Sequence, residues 1–119
     1  MIEILAILAL LQIKHWYVDF VIQTMDEVNG KGIYGNWQGI KHSLKHGVAT
    51  MLVLFPFMWY APEFVLILGF FDFITHYHID WAKMNWGNRD ITTPAFWAHL
   101  GLDQMMHQFV YLIIIGLIV

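Results

Sequence analysis

Four stretches of this chain, residues 4–11, 51–58, 64–71 and 112–119, contain no charged side chain, and each adjoins a stretch rich in His, Asp, Lys and Gln. A helix built this way is apolar at one end and polar at the other. Four such helices are satisfied together only when like ends meet, so the pattern demands a bundle rather than a sheet or a set of independent spans. Charged residues are 13% of the 119 and hydrophobic ones 59%, against roughly 25% and 45–50% in soluble domains. A single small domain exposes too much surface for so few charges to cover. The composition therefore points to a membrane protein. The net charge of −3 argues against a nucleic-acid binder, and the absence of cysteine removes disulfide and thiolate chemistry.

Helices are expected over residues 2–28, 37–60, 63–84 and 94–119. The Gly- and Asn-rich loop at 29–36 separates the first two, and Ala61-Pro62 makes a tight turn between the second and third. Pro56 is expected to kink the second helix, and Thr93 with Pro94 reads as an N-cap and first helical position. The first segment has Glu3, no basic n-region and no cleavage site, so it reads as part of the fold rather than a signal peptide. The expected architecture is an all-α, four-helix transmembrane bundle, up-down-up-down, a single domain over 1–119. All six basic residues (Lys14, Lys31, Lys41, Lys45, Lys83, Arg89) fall at the polar end, with Glu3 and Glu63 at the other. The positive-inside rule then makes the polar end cytoplasmic and both termini external, in a multi-pass protein of a bacterial inner membrane.

Within the polar halves the ionisable residues recur every four positions: His15, Asp19 and Gln23; His42, His46 and Thr50; Asp72, His76 and Asp80; His99, Asp103, His107 and Tyr111. That spacing puts each set on one helical face, and four faces can share the bundle axis. His15 and Asp19 recur as His76 and Asp80, and His42 and His46 correspond to Asp103 and His107, which suggests two pseudo-symmetric hairpins. Imidazole and carboxylate are the ligand set for zinc, manganese or iron. His15, Asp19, His42, His46, His76, Asp80, Asp103 and His107 are the candidate ligands for one or two divalent ions. Gln23, Thr50, Lys83 and Gln104 are expected behind them or toward a substrate. His78 is off this face, and the aromatic and Met residues read as packing. Interhelical hydrogen bonding with no ion is the structural alternative.

The four motifs, His15-x3-Asp19-Phe20-x2-Gln23-Thr24, His42-x3-His46-x3-Thr50, His76-x3-Asp80 and Asp103-Gln104-x2-His107, cover most of the chain in order. In these the chain resembles a family of small bacterial and phage membrane proteins classed only as a domain of unknown function. It is similar, more distantly, to predicted membrane-bound metal-dependent hydrolases. Asp72, His99 and the short Ala61-Pro62 connection depart from the family pattern. The resemblance implies the bundle and its motifs without an established activity.

Two functions compete. One is metal-dependent hydrolysis of a phosphoester or lipid-derived substrate from the cytoplasmic side, with Lys45, Lys83 and Arg89 holding an anionic group. The other is a non-enzymatic role, as an ion, proton or metal conductor or as a regulator of a host membrane protein. The lipid bilayer is the expected partner in either case, with a homo-oligomer or a membrane protein as further partners and no nucleic acid.

Overall fold

Two local signals decide where the helices stop, a capping box at Thr24 and the proline at 56. A computed structural model describes residues 1–119 and contains five α-helices and no strand. They are α1 (Ile2–Trp16), α2 (Met25–Gly30), α3 (Trp37–Leu54), α4 (Pro62–Trp86) and α5 (Pro94–Ile118).

The first expected helix is broken. A π-helical turn, Tyr17–Val21, follows α1, and its last N–H–carbonyl link runs from Ile22 to Tyr17 (3.1 Å). The chain then leaves the helix axis at Thr24. The Thr24 hydroxyl accepts from the Glu27 N–H and the Glu27 carboxylate accepts from the Thr24 N–H, both at 3.2 Å, and this reciprocal box starts α2. The second helix also stops early. Proline at 56 has no N–H to donate and its ring crowds the preceding turn, so α3 ends at Leu54, with Phe55 still helical in its backbone angles, rather than bending and running on to 60. Turns linked by Met58 N–H to Leu54 and Ala61 N–H to Met58 lead into α4, with Pro62 as its first residue. The start of α5 is as expected, with the Thr93 hydroxyl accepting from the Phe96 N–H at 3.3 Å.

The four long helices adjoin one another in the cyclic order α1, α3, α4, α5, and the diagonal pair α1 and α4 meets through side chains, Lys14 reaching Asp72 at 2.6 Å. The closest seam is between α3 and α4. A Cβ on Gly47 would lie 2.7 Å from the Gly69 carbonyl oxygen, and one on Gly69 would lie 2.9 Å from that of Gly47. One half of the bundle is filled by Ile7, Leu11, Leu54, Leu68, Tyr111 and Ile114 with their neighbours. The other half is filled by polar side chains. Fourteen of the buried side chains are polar or charged and eleven are hydrophobic, while Leu52 (71%), Ile67 (61%) and Phe70 (59%) are exposed. Two stretches, Ile2–Val21 and Pro94–Ile118, are long and apolar enough to cross a membrane.

The glycine seam makes a direct prediction. Gly47→Ala must push α3 from α4 and is expected to destabilise by about 1–3 kcal/mol. Gly101→Ala meets nothing within 4 Å and is expected to be neutral or stabilising by up to about 1 kcal/mol. Thermal melts of the two purified variants check the contrast.

Candidate metal centre

All eight candidate ligands are buried, from 0% exposed for His42, His46 and His76 to 7% for Asp19. Each helix delivers an i, i+4 pair to the axis. The π turn begins two residues after His15 and contains Asp19, the setting in which widened turns re-aim a side chain. Two groups have ligand-type atoms all within 4.8 Å of one another: Asp19, His42, His46 and His76, and then His76, Asp80 and His107. His15 and Asp103 lie beside these groups rather than in them.

The buried carboxylates fall into two kinds. Four have an ammonium partner: Asp72 with Lys14 (2.6 Å), Asp80 with Lys31 (3.3 Å), Asp103 with Lys83 (3.5 Å), and Glu27 with Lys45 and Lys41. Asp19 has none. Its partners are imidazoles: His15 on Oδ2 at 3.1 Å, and His46, His42 and His76 on Oδ1 at 2.8, 3.1 and 3.7 Å.

Hydrogen-bond polarity separates these histidines. The Lys14 ammonium only donates, so the His46 Nδ1 it reaches at 3.3 Å is an acceptor and the proton sits on Nε2, facing Asp19. Gln104 donates its amide to Asp103 (3.1 Å), which leaves its carbonyl oxygen to accept the His15 Nε2–H (2.8 Å). His15 Nδ1 then accepts from the Tyr111 hydroxyl (2.8 Å). His46 is therefore a donor that grips Asp19 Oδ1, while the Nε2–H of His15 goes to Gln104 and its ring lies beside Asp19 Oδ2.

His42 and His76 differ from these two. Their Nε2 atoms are 3.3 Å apart, and both approach Asp80 Oδ2, at 3.4 and 3.3 Å. The Nδ1 atoms of both rings and Asp80 Oδ2 are buried without a hydrogen-bond partner. The two ring nitrogens thus lie within 3.1–3.7 Å of each other and of two carboxylate oxygens, Asp19 Oδ1 and Asp80 Oδ2. A tetrahedral ion with bonds of about 2.0–2.1 Å has ligand–ligand edges of about 3.3–3.4 Å. These five separations are close to those edges. His42 Nδ1 lies 3.6 Å from Glu27 Oε2, too far for a hydrogen bond, so the carboxylate stands behind the ring without being bonded to it. His107 Nε2 reaches Asp80 Oδ1 (3.2 Å) and Asp103 Oδ1 (3.4 Å), holding Asp80 from behind. The rings of His46, His76 and His107 stack at 3.5 and 4.0 Å between centroids.

The remaining expected residues sort plainly. Gln23 bridges the Asp19 carbonyl and Lys31, and Thr50 donates to Asp72 at 2.6 Å. His99 accepts from the Asn88 N–H in a surface loop, and His78 pairs with Tyr34 at the surface, off the cluster as its position suggests. Sequence reasoning missed Lys14, Lys31 and Glu27 as parts of the polar interior. The Thr24-x-x-Glu27 box was the available sign of α2, the element that carries Glu27 over the end of the bundle.

Over residues 7–119 the chain matches a family described as a protein of unknown function (DUF3307). No curated protein and no solved structure matches it.

Two predictions follow from the charge pairs. Lys14→Met leaves Asp72 buried with the Thr50 hydroxyl but no cation, an expected loss of about 3–5 kcal/mol, while Lys14→Met with Asp72→Leu recovers most of it in denaturant melts. Glu27 lies on α2, outside the long helices. Burial pushes its carboxyl up, but the Lys45 ammonium and the Thr24 N–H outweigh that and hold it below the usual range. Its stabilisation is therefore complete above about pH 4.3 and is lost as pH falls through the lowered native value. Melting temperature against pH is expected to show an acid-side fall that Glu27→Gln reduces.

Proposed function

The chain belongs to this family of unknown function, and from its geometry we propose that it is an integral membrane protein that binds a divalent cation at a buried His/Asp centre and hydrolyses a phosphoester or lipid-derived substrate. The observation that carries this reading is Asp19, the buried carboxylate met only by imidazoles, within a set of nitrogen and oxygen atoms at ion-binding separations. Asp19, Asp80, His42 and His76 would hold the ion, with zinc, manganese or iron suited to these donors. Such an ion, when bound, lowers the pKa of a bound water to about 7.

The chain's own groups do the rest. His107 Nε2 lies between Asp80 Oδ1 and Asp103 Oδ1 and would hold a proton between the two carboxylates, while the Lys83 ammonium neutralises Asp103 on its outer side. A half-open cavity of about 270 Å³ between α4 and α5, lined in part by Lys83, His99 and Asp103, is where an anionic group would enter. Lys83 supplies the positive charge there.

The membrane placement rests on the inverted distribution of polarity, with charge inside and large apolar side chains outside. All four long helices would span. In α3 and α4 the His and Asp residues of the cluster lie on the interior face, which lowers the overall hydropathy. The part-exposed Lys41 and Lys45 lie in the N-terminal half of α3, and the exposed Glu63 in the first turn of α4. The basic residues make the polar end cytoplasmic. Conduction is disfavoured because Leu11, Leu54, Leu68, Tyr111 and Ile114, each at most 1% exposed, close the apolar half of the bundle.

Metal content of detergent-purified protein tests the proposal. About one equivalent per chain is expected in wild type and under a tenth in Asp19→Ala and His76→Ala, with hydrolysis of a generic phosphoester lost on chelation and restored by metal. Equal, substoichiometric metal in all three helical proteins would overturn it.

A further inference from the structure

A larger cavity than the one beside Lys83 is a groove of about 710 Å³ between α1 and α3 on the outer surface of the bundle, which the proposed hydrolysis does not use. Its long axis follows α3. Val48, Ala49, Leu52 and Val53 make an apolar floor from Lys45 outward, about 14 Å of helix to Leu54 at 1.5 Å per residue, with Pro56 just beyond the helix end. Leu10, Val18 and Ile22 form the facing wall.

The two ends of this groove differ in charge. Lys41 and Lys45 stand at the polar end, 36% and 30% exposed, and share the single Glu27 carboxylate. Two ammoniums against one carboxylate leave a net positive charge there. Trp37 lies beside them, at the level where amphipathic rings meet lipid headgroups. No acidic residue lines the groove, and the apolar end is uncharged. A long apolar slot closed by cations at one end matches an anionic amphiphile, with the tail along α3 and the headgroup on the lysines.

We propose that the α1–α3 groove is a binding site for the acyl chain of an anionic phospholipid whose headgroup sits on Lys41 and Lys45. The site rests on the membrane placement of the bundle and is independent of the metal. It also meets the buried centre. Lys14 lines the groove, and its ammonium donates to Asp72 and to His46, which in turn donates to Asp19. A lipid seated here lies one side chain away from the histidine cluster.

Native mass spectrometry of the detergent-solubilised full chain, with phosphatidylglycerol and phosphatidylcholine supplied at equal concentration, tests this. Wild type is expected to retain phosphatidylglycerol preferentially, as a one-lipid adduct. Lys41→Gln, which leaves Lys45 to pair with Glu27, is expected to lower that preference about fivefold, the factor for one lysine near an anionic surface. Ala49→Trp fills the floor and is expected to remove the adduct of either lipid while metal content stays unchanged. Equal retention of the two lipids by wild type, or an adduct unaffected by both substitutions, would overturn the site. Recovery of the chain from the soluble fraction without detergent would instead overturn the membrane placement on which the site rests.

Discussion

Everything polar in this molecule is organised around Asp19, a buried carboxylate with no ammonium to neutralise it. An isolated charge in a low-dielectric interior is costly unless paired and hydrogen-bonded. The other buried carboxylates meet that requirement with lysines, and Asp19 meets it with four imidazoles drawn from three helices. The arrangement ties α1, α3 and α4 together at one level. The Tyr111 and Gln104 contacts to His15 bring in α5.

The outer parts of the polar half serve this centre. Lys14 has three acceptors, Asp72, the His46 carbonyl and His46 Nδ1, and so sets the protonation of the ring that faces Asp19. Glu27 stands behind His42, held by the capping box and by two lysines. The short helix α2 is thus more than a connector, because it delivers both Glu27 and, just past its end, Lys31 to buried positions. The apolar half supplies the other requirement. Its close-packed plug keeps the polar groups at one end of the bundle, and the Gly47–Gly69 contact lets α3 and α4 come near enough for His42 and His76 to share a point.

Much of this was readable in the residues, because a period of four is a direct statement about helical faces. The stripes on α1, α3, α4 and α5 do converge, and Thr93-Pro94 does start the last helix. What the periodicity could not convey is the direction of hydrogen bonds. His15 and His46 have the same spacing to an acidic or imidazole neighbour as His76 and His42, yet their ring nitrogens are committed to Tyr111, Gln104 and Lys14, residues far away in sequence. The break after the π turn was hidden for a similar reason. Polar residues at 23 and 27 continue the four-residue rhythm, and only the Thr24-x-x-Glu27 box signals that a new helix begins. Pro56 by itself suggests a kink, because membrane helices tolerate one. The chain instead ends α3 there and uses Phe55 to Ala61 as the connection to α4.

The central claim is that Asp19, His42 and His76 converge to hold an ion rather than to hydrogen-bond with one another. Anomalous diffraction from crystals of the metal-loaded protein, collected at the zinc, iron or manganese absorption edge, addresses this directly. The expected result is one strong peak about 2.0–2.2 Å from Asp19 Oδ1 and from the Nε2 atoms of His42 and His76. A map with no peak among these atoms, or with its peak only at the surface histidines His78 or His99, would contradict it.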